Sequence, residues 1–97
     1  MKISIHSNVE IDKSFEEYLN KKVENLGKFI FDEGNAEIFI KKEGPFYVAE
    51  IDIHTKNHII FLKEKENDIA RCIDFLIDRT KRKLRQLHDR IVDKNRK

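Results

Sequence analysis

The chain predicts an α+β two-layer sandwich, a four-stranded sheet with two helices on one face, in the order β-α-β-β-β-α. Three observations carry that prediction. Apolar residues alternate with polar ones in four short stretches, they recur every three to four positions in two longer ones, and Gly44-Pro45 and Lys56-Asn57 divide the strands that follow the first helix. A sheet with one apolar face and two helices with one apolar stripe each bury those surfaces by stacking layer on layer. Ninety-seven residues suffice to close one hydrophobic core but not two, so a single domain over residues 1–97 is expected, its last few residues a frayed basic tail.

The first strand runs from Lys2 to Ser7, with Ile3 and Ile5 on one side and Ser4 and His6 on the other. Asp12 or Ser14 then offers an N-cap, and Phe15, Tyr18, Leu19, Val23, Leu26 and Ile30 follow at helical spacing, so the first helix should end before Gly34. Three alternating stretches come next: Ala36-Ile38-Ile40, Ala49-Ile51-Ile53 and Ile60-Leu62. A two-residue loop at Lys56-Asn57 pairs Ile53 with Ile60 and Ile51 with Leu62, and it sets Glu50 opposite Lys63 on the other face. A loop centred on Gly44-Pro45 pairs Ile40 with Ala49 and Ile38 with Ile51, which continues the same apolar face. After a cap at Asn67 or Asp68, Ile69, Ile73, Leu76, Ile77, Leu84, Leu87 and Ile91 trace a long amphipathic helix to about residue 93. A right-handed crossover makes the first two strands parallel neighbours.

Composition narrows the function classes. Charged and hydrophobic residues each make up 39%, which fits a soluble globular protein. The single cysteine, Cys72, permits neither an intramolecular disulfide nor a thiolate zinc cage, and a reducing cytoplasm fits best. The N-terminus lacks the apolar run of a signal peptide and no stretch approaches membrane-spanning length, so neither secretion nor a membrane partner is expected. The net charge of +2 conceals an asymmetry. Residues 1–78 hold 11 Lys+Arg against 16 Asp+Glu, whereas residues 79–97 hold 9 against 2.

At about 100° per residue, one flank of the last helix carries Arg79, Lys83, Gln86, Arg90, Lys94 and Lys97, while Asp74, Asp78, Asp89 and Asp93 fall elsewhere. A solvated surface helix more often intersperses acids and bases in stabilising pairs. An acid-free row of cations is instead what a phosphate backbone requires, so structured RNA is the expected partner. Lys81, Arg82 and Arg85 broaden the positive field. On the first helix Lys22 projects inside the apolar arc, between Tyr18 and Leu26, and must snorkel outward; it either joins the basic stripe at a groove between the helices or merely covers apolar surface. Lys21 and Lys28 lie on that helix's outer face.

The sheet's other face offers a competing RNA site through Phe39 and Phe61, since exposed aromatics stack bases. Glu37, Glu50 and Asp52 share the face and would repel phosphate, and the element order differs from the β-α-β-β-α-β of the common sheet-based RNA-recognition module, so Phe39, Val48, Ile59 and Phe61 read as packing or partner surface. No chemistry is expected. His54 and His58 point to opposite faces of their hairpin, His6 and His88 lack ligand-type neighbours, the carboxylates have no metal-binding spacing, and Cys72 reads as a core-edge residue. The chain therefore reads as no enzyme, with no metal, no cofactor and no small-molecule substrate.

The segment Ile73-Asp74-Phe75-Leu76-Ile77-Asp78-Arg79, continued through Arg82, Leu84, Asp89 and Arg90, resembles the last helix of the ribosome hibernation promoting factor family. Ile3 to Val9 is similar to that family's first strand and following loop, and Lys22, Leu26 and Lys28 to its first helix. The resemblance implies a domain related in shape to double-stranded RNA-binding domains. Such a domain sits between the head and body of the small ribosomal subunit where messenger and transfer RNA bind, and so silences idle ribosomes. It implies RNA contacts at Lys22, Arg79, Arg82 and Arg90, while Lys28, Lys83, Arg85 and Lys94 rest more on the stripe. Members often show a Gly-x-Asp-x-Tyr-like lead into the last helix; here Glu66-Asn67-Asp68-Ile69-Ala70 stands there, without that aromatic. With the sequence stopping after the domain, without the linker and C-terminal dimerisation domain of the long members, the chain is not expected by itself to join two ribosomes through that device, and a monomer off the ribosome is expected. From the residues alone, a general double-stranded RNA-binding adaptor is the alternative.

Overall fold

In the computed structural model, residues 2–26, 34–56 and 58–94 are described, with side chains as far as residue 87. The expected order is met element by element: β1 (Lys2–Ser7), α1 (Lys13–Leu26), β2 (Gly34–Glu43), β3 (Phe46–Thr55), β4 (Ile59–Glu66) and α2 (Ile69–Lys94). Ile30, expected to extend the first helix, lies outside the described residues. Both helix starts are decided by aspartates. Asp12 Oδ1 accepts from the Phe15 N–H at 2.7 Å and its carbonyl from Glu16, so Asp12 rather than Ser14 is the cap. Asp68 rather than Asn67 begins α2, accepting from the Ala70 and Cys72 N–H groups.

The sheet order is β1-β2-β3-β4, with β1 and β2 parallel and the other two pairs antiparallel. Its register is the one the hairpin arithmetic requires: Ile40 opposite Ala49, Ile38 opposite Ile51, Ile51 opposite Leu62, Ile53 opposite Ile60, and Glu50 opposite Lys63. Gly44 closes the first hairpin at a φ of 58°, a left-handed conformation that glycine adopts without a Cβ penalty. At the start of β2 a different demand is met by Gly34, where a Cβ would stand 2.7 Å from the His54 carbonyl oxygen.

Because side chains alternate along a strand, this register puts the sheet's share of the main core on one face. Ala36, Ile38, Ile40, Ala49, Ile51, Ile53 and Ile60 are buried there beneath Leu19, Val23 and Leu26 of α1 and Cys72, Ile73, Leu76, Ile77 and Leu84 of α2. Val48, read from the sequence as packing or partner surface, is fully buried on the other face. α2 lies over β3 and β4, while α1 packs over β1 and against α2. Thr80 is the one polar residue among the described buried side chains; its hydroxyl donates to the Leu76 carbonyl at 2.7 Å, one turn back, so no donor is stranded. Among the described residues no helix is long and apolar enough to cross a membrane.

Ile51, on β3 beneath α2, is fully buried. Ile51→Ala should cost about 2–5 kcal/mol of unfolding free energy, read as a lowered denaturation midpoint at unchanged slope. Ile59→Ala, at a position 72% exposed, should stay within about 0.5 kcal/mol of the parent.

Candidate RNA interface

The buried stripe of α2 divides its remaining surface into two flanks and a crest. One flank faces β4. There Arg79 sends Nη1 to Glu64 Oε1 at 2.8 Å and to the Lys63 carbonyl at 3.2 Å, which ties the helix to the edge strand. A guanidinium has five N–H donors in a planar fork, so this anchorage leaves donors for a second acceptor and holds the group in a defined place. Lys83 and Gln86 continue the same flank one and two turns on and are exposed. Arg90 and Lys94 belong to α2, but their side chains are outside the described residues. Arg82 stands on the crest, opposite the buried stripe, and is exposed.

The other flank faces α1. Tyr18 Oη donates to Asp74 Oδ1 at 2.5 Å across the helix pair, and the Lys22 ammonium sits 5.4 Å from the centre of the Tyr18 ring. That hydrogen bond, with burial and the charges of Asp74 and Asp78 adding to it, pushes the Tyr18 phenol up to about 12. Lys22 then opens into a groove between the helices with Asn25, Leu26, Ile77, Asp78 and Lys81. Of the two places open to Lys22, the groove between the helices is the one it takes, but on the flank of α2 away from Arg79 and Lys83. α1 lies against the opposite flank of α2, so Lys22 meets Lys81 instead. Arg85, exposed, is on the same α1 side one turn beyond Lys81.

The basic surface is therefore wider than one acid-free row. Residues 79–87 carry Arg79, Lys81, Arg82, Lys83 and Arg85 and no acid, and they spread from the β4 edge across the crest to the α1 groove. The acids nearest α1 are occupied or bordered, Asp74 by the Tyr18 hydroxyl and Asp78 by the groove it shares with Lys22 and Lys81. Lys21 is exposed on α1, and Lys28 lies outside the described residues. Sequence reasoning ranked Lys81 low because periodicity tells which residues share a flank but not which neighbour the flank meets. Asn25 it missed altogether; only its nearness to Lys22 on α1 pointed to it.

The open face of the sheet also departs from expectation. Its acids do not form an unbroken repulsive field: Glu50 is 3.6 Å from the Lys63 ammonium, Asp52 is 2.9 Å from His54 Nε2, and Glu37 is 3.8 Å from His6 Nε2. The register sets Glu50 directly opposite Lys63, whereas Asp52 and His54 are neighbours on one face of β3 and His6 reaches Glu37 diagonally from β1. His54 turns to Asp52 on this face, while the backbone N–H of His58 bonds the Thr55 hydroxyl at the hairpin end.

The family model described as Sigma 54 modulation protein / S30EA ribosomal protein matches residues 1–92. Among solved structures, the Protein Y N-terminal domain of Thermus thermophilus matches with a TM-score of 0.81 at 24% identity, covering 90% of this chain and 99% of that one. A ribosomal subunit interface protein from Coxiella burnetii matches with a TM-score of 0.76 at 16% identity, covering 90% and 97%. These likenesses establish the same fold. No curated protein matches the chain.

The tie between Tyr18 and Asp74 can be titrated. A phenol whose folded value lies above its ordinary 10.0 adds stability that is fully present below that value and is lost as pH rises through about 12. Spectrophotometric titration should show one tyrosine ionising near about 12, a phase absent from Tyr18→Phe and moved downward by Asp74→Asn.

Proposed function

The chain belongs to the Sigma 54 modulation protein / S30EA ribosomal protein family, and from that premise we propose that it binds the small ribosomal subunit at the messenger and transfer RNA sites and blocks translation by occupying them, which promotes ribosome hibernation. The observation that carries this reading is the acid-free span 79–87 on the exposed side of α2. α2 has 26 residues, about 39 Å at 1.5 Å per residue. Lys22, Lys28, Arg79, Arg82, Lys83, Arg85, Arg90 and Lys94 make the RNA contacts, with Lys81 beside Lys22 in the groove.

The mechanism needs no bond chemistry. Structured RNA displays phosphates and 2′-hydroxyls more accessibly than base edges, and cations on three sides of one rigid helix engage several phosphates at once without reading sequence. Each contact releases a counterion, so affinity falls steeply with salt. Arg79 adds geometric definition, because its bonds to Glu64 and to the Lys63 carbonyl fix the guanidinium before RNA arrives. A body so held excludes other RNA from the volume it fills. The setting is cytoplasmic, where ribosomes are.

Ribosome sedimentation tests the proposal. The protein should pellet with small subunits at low salt, less so when transfer RNA is bound first. Arg82→Glu combined with Lys83→Glu should abolish pelleting and, where residual binding is measurable, flatten the salt slope by roughly one per lost phosphate contact. Protein remaining in the supernatant at low salt refutes ribosome occupancy, and equal affinity for arbitrary duplexes and small subunits identifies a general double-stranded RNA adaptor instead.

A further inference from the structure

The step at the end of β1 creates a second site on the face away from the helices. β1 pairs with β2 only as far as Ser7 opposite Ile40, while β2 continues to Glu43. The Ser7 hydroxyl explains the early stop. It donates to the Val9 carbonyl at 2.7 Å and accepts from the Val9 N–H at 3.0 Å, turning the chain off the sheet immediately after the Asn8 N–H has bonded the Ile40 carbonyl. What remains is an open notch of about 400 Å³ lined by His6, Asn8, Phe39, Lys41, Val48 and Glu50 among others, within the size range of small-ligand sites, about 300–1,000 Å³.

Its chemistry is specific. His6 and Phe39, opposite each other on the parallel strands, are stacked with ring centres 4.9 Å apart and planes 15° from parallel, and both stay substantially exposed. Val48 is fully buried although it stands on this open face, between Lys41 and Lys65, and it contributes a small apolar floor apart from the main core. Around these sit an amide at Asn8, an ammonium at Lys41 and an acceptor-only carboxylate at Glu50. Glu50 is held by Lys63 at 3.6 Å and Lys41 by Glu43 at 3.2 Å, both pairs half-exposed, so a phosphate arriving at Lys41 shares that ammonium with the Glu43 carboxylate or displaces it.

We propose that this notch binds one unstacked guanine nucleotide, met as an unpaired base of an RNA strand, with the base stacked on the His6–Phe39 pair, its edge donating to Glu50 and its phosphate at Lys41. A flat aromatic pair extends by stacking a third ring, and base stacking on protein aromatics is the sequence-tolerant part of single-strand recognition. Selectivity comes from Glu50. Guanine presents N1–H and N2–H₂ side by side, a pair of donors that fits one carboxylate, whereas uracil presents a single N–H. Asn8, whose backbone N–H is committed to Ile40, keeps its side-chain amide for the base edge or the ribose. The site extends the RNA-binding reading of the chain to a surface that the helices do not share.

The test is titration of isotopically labelled full-length protein with the pentanucleotides UUGUU and UUUUU, followed by amide chemical shifts. UUGUU should shift the amides of His6, Asn8, Phe39, Lys41 and Glu50 and bind more tightly than UUUUU. Phe39→Leu, which keeps apolar bulk but removes the ring, should weaken UUGUU by roughly 5- to 150-fold, the range of one stacked base, and Phe39→Tyr should restore it. Glu50→Gln should erase the preference for guanine while leaving the stack. Guanosine monophosphate is the second arm. Tighter binding of UUGUU than of the free nucleotide assigns the site to an RNA strand, and equal binding assigns it to a free guanine nucleotide. Shifts confined to α2, or a Phe39→Leu variant that binds UUGUU as the parent does, overturn the proposal. Sedimentation of Phe39→Leu with small subunits separates this outcome from the fate of the helix reading, because that variant keeps all of the α2 cations.

Discussion

The row Ile38–Ile51–Leu62 across β2, β3 and β4, with Ile53–Ile60 beside it, is the constraint on which the remaining structure depends. Side-chain period along a strand is two, so a slip of one residue in either hairpin would turn a whole set of isoleucines to solvent and a set of acids and lysines inward. The two short turns prevent that slip, one through the left-handed Gly44 and the other through the two residues between Thr55 and His58. With the apolar face fixed, the helices have one place to pack and the sheet's polar residues have one face to occupy.

Packing then decides what α2 presents. A 26-residue helix that buries Cys72, Ile73, Leu76, Ile77, Thr80 and Leu84 must turn its other positions outward. Between residues 79 and 87 every charged position is a cation. Concentrating like charge on one element carries a cost in self-repulsion. Contacts outside that span offset part of it: Glu64 meets Arg79 on the β4 side, and the Tyr18 ring lies beside the Lys22 ammonium on the α1 side. The Arg79–Glu64 pair is half exposed, and pairs of that kind contribute on the order of 0.2–1 kcal/mol. Its larger effect is to place a guanidinium, because Arg79 also grips the Lys63 carbonyl at the outer edge of β4 and covers part of a strand edge that would otherwise invite pairing with another chain.

The same register that builds the core also neutralises the opposite face. Glu50 comes to Lys63 because Ile51 sits opposite Leu62, and His6 comes to stack on Phe39 because Ile5 sits opposite Ile38. Exposed aromatics, Phe61 at 59% among them, therefore stand among carboxylates that each have a lysine or a histidine beside them. The two faces of the molecule differ in kind, with dense like-sign charge on the helix side and flat rings among carboxylates and their basic neighbours on the sheet side.

Element order, the hairpin registers, most of the core and the concentration of cations in the last helix were determined by the sequence alone, because each is a local periodicity or a local count, whereas the full burial of Val48, Cys72 and Thr80 was not. Ile53 opposite Ile60 and Glu50 opposite Lys63 follow from loop length, and the helical spacing of Ile69, Ile73, Leu76, Ile77 and Leu84 follows from 3.6 residues per turn. Tertiary structure decided what lies next to each flank. Periodicity groups Lys81 with Arg85 and Arg79 with Lys83 but does not say which group faces α1, so both alternatives for Lys22 stay open until the helix pair is in place. Likewise the acids of the open face looked repulsive as a composition and are paired as a surface. Glu50 and Lys63, like Glu37 and His6, are far apart in the chain, and they come within a few ångströms only once the sheet has formed.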